Sequence, residues 1–114
     1  MGFYTGTFQP ATDDADWAMV LALFDDAGAA YDASALDFTV QVCLDGEALL
    51  EATTTAGTLT RPSDSEIAWR FTRDQMATLE AGQTYDVGCV ATDIDGNVTQ
   101  VFVMSLPVIN GGLA

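Results

Sequence analysis

Hydrophobic and polar residues alternate in short runs along most of this chain, the period-two pattern of β-strands with one face against a core. In Leu36–Leu44 the apolar positions are every second residue from Phe38 onward, and Glu66–Phe71 alternates in the same way. Turn residues such as Asp45-Gly46 separate the runs. The predicted strands are Trp17–Phe24, Leu36–Leu44, Ala48–Thr54, Gly57–Arg61, Glu66–Phe71, Gln83–Asp93 and Val98–Val108. Seven to eight short strands with one helical turn predict an all-β fold, an antiparallel β-sandwich.

The run Trp17–Phe24 does not alternate. It is continuously apolar, so periodicity alone does not separate a buried strand from a helix. Asp25, Asp26 and Gly28 follow it after eight residues, which is a strand length, and its tryptophan, valine and phenylalanine favour β-structure. We therefore predict a strand here.

The helical turn is predicted from Thr72 to Leu79. Thr72 and Gln75 match the capping-box pattern, in which two side chains satisfy backbone amides that begin a helix. Met76 and Leu79 are three residues apart and share a face that can close one end of the sandwich. Such a strand, helical turn and strand crossover joins the two sheets of a small sandwich.

The length of 114 residues predicts one domain with a single core. Gly2–Phe8 is short, aromatic and β-prone, and Pro10 ends it. We divide the chain into an N-terminal strand or arm (1–10), a β-sandwich domain (11–109) and a flexible tail (110–114).

The charge of the chain is strongly negative. Three arginines, no lysine and no histidine stand against 17 acidic residues, a net charge of −14. Such a surface repels nucleic acid and anionic membranes, so neither is expected as a partner. Acidity of this kind favours solubility or a salty medium, and the alternative is a recognition surface for a basic partner. No secretory signal is visible, because acidic residues precede Trp17–Phe24 and this run is too short to span a bilayer.

Catalytic chemistry has little support in the composition. General acid–base catalysis usually uses histidine, which is absent, and a cysteine nucleophile would lack its histidine partner. The carboxylates are spread over loops, so a small hydrolase would require two of them to converge in a pocket. We predict a non-enzymatic protein with no catalytic residue, no cofactor and no small-molecule substrate.

The two cysteines, Cys43 and Cys89, lie on different predicted strands. Alternation places Cys43 on the polar face of its strand and Cys89 on the apolar face of the other, unless a bulge intervenes. One thiol pointing out and one pointing in favours free thiols over an inter-sheet disulfide. Free thiols are consistent with a reducing cytoplasm.

The segment Asp93–Asn97 invites comparison with a calcium-binding EF-hand loop. That loop needs glycine at its sixth position and glutamate at its twelfth, whereas this segment places Gly96 fourth and Met104 twelfth. A hairpin turn is the better interpretation. A loosely bound Ca²⁺ among the loop acids Asp13, Asp14 and Asp16 stays open, and no metal site is predicted.

The aromatic residues permit two interpretations. Trp17 and Trp69 fit a sandwich core, and the alternative is an exposed platform on which sugar rings stack. Phe3, Tyr4 and Phe8 lie in a terminal segment without obvious partners in the chain. We therefore name these three as candidate partner-binding residues.

Two resemblances meet in the segment that follows the helical turn. The pattern Leu79-x-Ala-Gly-x-x-Tyr85-x-Val87 resembles the tyrosine corner of immunoglobulin-like and fibronectin-like sandwiches, in which the tyrosine hydroxyl bonds nearby backbone. Cys89 lies four residues after Tyr85, so the Tyr-x-Cys spacing of antibody domains is not kept. The resemblance makes the expected sandwich immunoglobulin-like.

The second resemblance is to small tailed-phage and prophage proteins, and it covers residues 36–110. This part of the chain resembles the N-terminal domain of baseplate upper proteins and related virion accessory proteins. The segments that carry it are Asp37-Phe-Thr-Val-Gln-Val, Ile67-Ala-Trp-Arg-Phe-Thr, Gln75-Met-Ala-Thr-Leu-Glu-Ala-Gly-Gln-Thr-Tyr-Asp-Val, Asp95-Gly96 and Leu106-Pro-Val108.

This resemblance implies a structural protein of a phage particle, from the tail, the baseplate or the head–tail region. Its partners would be other virion proteins and itself in a symmetric assembly, and no catalytic residues come with it. Its location would be the virion, assembled in the host cytoplasm. The alternative is a β-sandwich module that binds a glycan or a receptor on a virion or cell surface.

Overall fold

Strands make up most of the computed structural model, which describes residues 4–112. Within this range there are nine strands and one short helix. The strands are β1 (Tyr4–Thr7), β2 (Ala11–Thr12), β3 (Trp17–Ala22), β4 (Asp37–Leu44), β5 (Glu47–Thr53), β6 (Leu59–Ser63), β7 (Glu66–Phe71), β8 (Thr84–Thr92) and β9 (Val98–Ile109). The helix α1 (Arg73–Met76) lies between β7 and β8.

The strands form two sheets that enclose one core. The larger sheet has the order β1-β9-β8-β4-β5, with β2 also pairing with β9, and the smaller sheet has the order β3-β7-β6. This separation of strands is that of an immunoglobulin-like sandwich. The predicted all-β, antiparallel sandwich with one helical turn is therefore confirmed.

The N-terminal segment departs from the antiparallel pattern. Both β1 and β2 run parallel to β9, with Tyr4 opposite Phe102 and Ala11 opposite Val108. Pro10 lies between the two short strands, and because proline has no N–H it interrupts a hydrogen-bonded ladder. The segment therefore forms two short edge strands of the larger sheet.

Alternation along the strands produces the core. In β8, Tyr85, Val87, Cys89 and Ala91 are all buried, while the residues between them are exposed or half-buried. β4 and β7 show the same pattern, and no polar or charged side chain in residues 4–112 is buried. Burial of apolar side chains between the sheets is the main force that stabilises this fold.

The crossover between the sheets has the predicted capping box. The Gln75 amide donates to the Thr72 hydroxyl, and the Thr72 amide donates to the Gln75 side chain at 2.9 Å. Met76 and Leu79 are buried against the end of the core. In the described part of the chain, no helix has the length and apolar character that a membrane crossing needs.

The Tyr85 hydroxyl holds the corner that follows α1. It accepts a hydrogen bond from the backbone N–H of Glu80 at 2.6 Å, while the tyrosine ring is fully buried. The Gly82 amide also donates to the carbonyl of Val108 on β9, at 2.7 Å. The contact between Tyr85 and Glu80 is the hydrogen bond that defines a tyrosine corner.

Candidate functional site

β3 is an edge strand of the smaller sheet. Its ladder runs with β7 alone among residues 4–112, from Trp17 opposite Phe71 to Ala22 opposite Glu66. Just beyond β3, the Leu23 amide donates to the carbonyl of Ser65, also on the β7 side. Backbone groups of alternate residues in a strand point to opposite sides, so the even-numbered residues of β3 direct theirs away from β7. These groups form an open edge.

The open edge is limited at its carboxyl end by Tyr4. The Phe24 amide, which is next in the even-numbered series, donates to the Tyr4 hydroxyl at 3.2 Å. This contact confirms that even-numbered residues face away from β7. It also leaves Ala18, Val20 and Ala22 as the β3 residues whose backbone groups face the open side.

β3 lacks the features by which the other sheet edges discourage pairing with another chain. β5 carries Glu47 and Glu51, and β6 carries Arg61 and Pro62. The N-terminal edge of the larger sheet is divided into β1 and β2. By contrast, β3 has no charge, no proline and no register shift over its six residues. A regular apolar edge of this kind is a template for strand addition.

The outer face beside this edge is apolar. We call the surface formed by Ala18, Val20, Ala22 and Ala68 the β3 face. Val20 is 58% exposed at its centre, and a shallow depression of about 320 Å³ lies over Ala18, Val20 and Ala68. The lining of the depression also includes Thr58, Thr60 and Arg70, and the β3 face lies directly next to the open strand edge.

All three arginines of the chain lie between residues 61 and 73, on or next to the smaller sheet. Arg70 borders the depression, and its Nε donates to Asp16 Oδ2 at 3.0 Å. The second oxygen of Asp16 accepts from the Arg73 amide. These hydrogen bonds, the Arg70 side chain first, lower the pKa of Asp16. Arg70 therefore neutralises the Asp16 charge beside the β3 face.

The three candidate partner-binding residues have different surroundings. Phe3 lies outside the described residues. Tyr4 is half-buried, and its hydroxyl accepts a hydrogen bond from the Phe24 amide. Phe8 is 7% exposed, and its ring packs edge-on against Trp17 at 5.3 Å between centroids. Phe8 was expected to lack partners within the chain, but its ring instead belongs to the core.

Trp17 and Trp69 do not form a platform for sugar stacking. They are 7% and 2% exposed, and their rings meet each other edge-on at 5.8 Å. The indole N–H of Trp69 is buried without a hydrogen-bond partner among the described residues, with the Phe102 ring stacked at 5.7 Å. The core interpretation of both tryptophans is the one the structure supports.

Acidic side chains are dispersed over the described residues. No group of three metal-ligating side chains in residues 4–112 is arranged to hold an ion. Asp93 accepts from the amides of Asp95 and Asn97, each at 2.9 Å, and hydrogen bonds from this turn lower its pKa. Asp13 accepts from the Gly111 amide at 3.1 Å. These carboxylates stabilise turns and the end of the chain after β9.

Three surface depressions each have at most one carboxylate in their lining. The depression over β3 has none in its lining, a second of about 350 Å³ has Asp86, and a third of about 250 Å³ has Asp93. A hydrolase of the kind considered above needs a pair of acids in one cleft. None of these three depressions has such a pair.

The two thiols are free, as predicted. Cys89 faces the core opposite Val40, and burial raises its pKa to about 12. Cys43 is half-buried on the outer face of the larger sheet, opposite Asp86. Burial and then the Asp86 charge raise its pKa as well. Both thiols are therefore poor nucleophiles at neutral pH.

No protein-family model matches the chain, and a search among curated proteins finds no significant match to it.

The sequence alone does not identify the residues of the β3 face as a candidate site. The feature that indicates them is the continuously apolar run Trp17–Phe24, which places apolar side chains on both faces of one strand. In a two-layer sandwich a strand has only one face toward the core, so its other face must meet solvent or a partner. Ala18, Val20 and Ala22 occupy that second face.

Proposed function

We propose that this protein is a non-enzymatic structural component that acts through protein–protein contact at the open edge and outer face of β3. The resemblance to phage and prophage virion accessory proteins makes the phage particle the proposed setting, as a tail, baseplate or head–tail component. The observation that carries the proposal is an unprotected, uncharged edge strand beneath an apolar face. These features adjoin each other at Ala18, Val20 and Ala22.

Strand addition explains how such a surface binds. A partner strand laid beside β3 would receive main-chain hydrogen bonds from the groups that face away from β7, which supply affinity. Burial of the Val20 side chain would add hydrophobic stabilisation. Shape and backbone pairing are then sufficient for assembly, and no reactive side chain is required.

The chemistry of the remaining surface supports a non-enzymatic role. Neither thiol is activated, and the three depressions each hold at most one carboxylate. The glycan-binding alternative is not favoured, because the two tryptophans that would stack on sugar rings are in the core.

The test is whether the chain is part of assembled particles. Particles from the phage or prophage that encodes the chain are purified, and their protein content is measured by quantitative mass spectrometry. We expect the wild-type chain at a fixed copy number per particle, and its absence from pure particles would refute the proposal.

Two variants localise the contact. Val20→Lys places a charge at the centre of the β3 face, whereas Val98→Lys makes the same change at a 64% exposed valine of the larger sheet. We expect particles to incorporate Val98→Lys and to exclude Val20→Lys. Circular dichroism and thermal melting of both purified variants check that each remains folded. Equal incorporation of the two would show that β3 is not the contact surface.

A further inference from the structure

We propose that the partner at β3 is a second copy of this chain, paired antiparallel about a two-fold axis at Val20. The two three-stranded sheets would then join into one continuous six-stranded sheet. This inference rests on the proposed function, because it names the partner at the same surface.

The backbone determines the register of this pairing. In an antiparallel ladder, residues that direct their amides and carbonyls at each other lie directly opposite. Setting Val20 opposite Val20 places Ala18 opposite Ala22, so all three open residues of each copy are paired. A shift of two residues in either direction leaves one of them opposite Asp16 or opposite Phe24, and Phe24 already binds Tyr4. The centred register is therefore the one that satisfies the whole open edge.

The side chains of the β3 face fit the same symmetry. The series alanine, valine, alanine reads the same in both directions, so two copies present identical profiles to each other. Alanines at the outer positions leave no bulky group to obstruct the joined sheet. The two Val20 side chains meet at the axis, where each would lose much of its 58% exposure.

Charge on the next strand is complementary in this register. On β7, Arg70 lies opposite Ala18, and Glu66 lies opposite Ala22. Because Ala18 of one copy faces Ala22 of the other, Arg70 of each copy falls in the same row across the sheet as Glu66 of its partner. The two charges are about 14 Å apart at Cα, three strand spacings, so they make no direct contact. The Arg70 guanidinium stays paired with Asp16 of its own copy, and the row brings no like charges together.

The β5 edge is unsuited to self-pairing in so acidic a protein. A two-fold contact at β5 would bring Glu47 and Glu51 of one copy beside those of the other. Like charges directly opposite across strands are destabilising. The β3 edge brings no like charge into direct cross-strand opposition, so two copies of net charge −14 approach more easily there than at β5.

Analytical ultracentrifugation of the purified full-length chain tests whether the partner is a second copy. In about 0.15 M salt and over a range of concentrations, we expect a reversible equilibrium between monomer and dimer. Val20→Lys is expected to raise the dissociation constant at least about 100-fold, because it sets two lysines against each other at the axis. Val98→Lys should leave it unchanged. A wild-type chain that stays monomeric to about 100 μM, or a dimer that survives Val20→Lys, overturns the proposal.

Cross-linking tests the register. In the Val20→Cys variant the two new thiols would lie across the axis at a Cα separation of about 5.5 Å, within the range a disulfide spans. Diamide takes up the two electrons and two protons released as the S–S bond forms. We expect a covalent dimer from Val20→Cys, and none from Val98→Cys or from the wild type with its own two thiols. A dimer sensitive to Val20→Lys that gives no cross-link at this position overturns the centred register.

The two proposals fail separately. A chain that enters particles through β3 but does not dimerise keeps the proposed function and loses this inference, because another virion protein would then occupy the edge. A chain that dimerises at β3 but is absent from particles keeps the dimer and loses the proposed role in the particle.

Discussion

Replacement of Tyr85 by phenylalanine is the most direct test of the reasoning about this fold. The ring is buried beneath the crossover, and its hydroxyl accepts the Glu80 amide at 2.6 Å in a partly buried position. Phenylalanine keeps the packing of the ring and removes only the oxygen. The Glu80 amide then loses its hydrogen-bond partner while its surroundings stay the same.

The size of the effect follows from that orphaned donor. Glu80 is itself exposed and the bond is part-buried, so the loss is that of an average hydrogen bond, about 0.5–1.5 kcal/mol. For a chain of this length, such a loss lowers the melting temperature by roughly 2–6 °C. We therefore expect Tyr85→Phe to be less stable than the wild type by this amount while keeping the same fold.

The assay is thermal and urea unfolding followed by circular dichroism at one fixed protein concentration, because self-association links stability to concentration. Tyr31→Phe is the matched control, since Tyr31 is half-buried and its hydroxyl has no protein partner in the range 4–112. It should change the free energy of unfolding by less than about 0.5 kcal/mol. If Tyr85→Phe and Tyr31→Phe are equally stable, the corner hydrogen bond contributes nothing and the reasoning fails.

Three further predictions concern the helix cap, the thiols and one ion pair. Thr72→Ala removes the hydroxyl that accepts a hydrogen bond from the Gln75 amide, so we expect the free energy of unfolding in urea to fall by about 1 kcal/mol. An unchanged unfolding midpoint would show that the cap is dispensable. A thiol reagent should label Cys43 in the native protein, and it should do so faster above pH 9 than at pH 7 because the Cys43 pKa is raised. Cys89 should react only on unfolding, and labelling of Cys89 in the native protein would contradict its burial. The folded-state pKa of Asp16 is lowered, so its contribution to stability is present above the ordinary value of 3.8 and is lost as pH falls through the folded value. Asp16→Asn should therefore destabilise at pH 6 and differ less from the wild type near pH 3, and a difference that grows toward low pH would refute the sign.

Local features of the fold were predictable because they depend on near neighbours in the chain. The alternation in β7 and β8 assigns residues to inner and outer faces, and burial of every second residue confirms it. The capping box of Thr72 and Gln75 also formed as predicted, since its partners are three residues apart. Cys43 and Cys89 face opposite sides of the sheet for the same reason, so the thiols are free.

The candidate site was not predictable in the same way. The apolar run Trp17–Phe24 indicated a strand, but its residues alone do not say which neighbours it has or which side is left open. The sequence instead indicates the aromatic N-terminus, with Phe3, Tyr4 and Phe8, as the partner-binding segment. Phe8 is in the core, because the strands β1 and β2 pair with β9, about a hundred residues away in the chain.

The sequence alone predicts the class of fold, the positions of β3 to β9 to within two residues, the helix cap, the tyrosine corner and the orientation of the thiols. Each depends on a pattern repeated over a few residues, where backbone geometry dictates which side chains share a face. The pairing of strands in three dimensions makes β3 an edge strand and leaves Ala18, Val20 and Ala22 on its open side. That outcome depends on pairings between distant segments, and the entropy of closing those loops is offset by burial in the whole core rather than by any local signal.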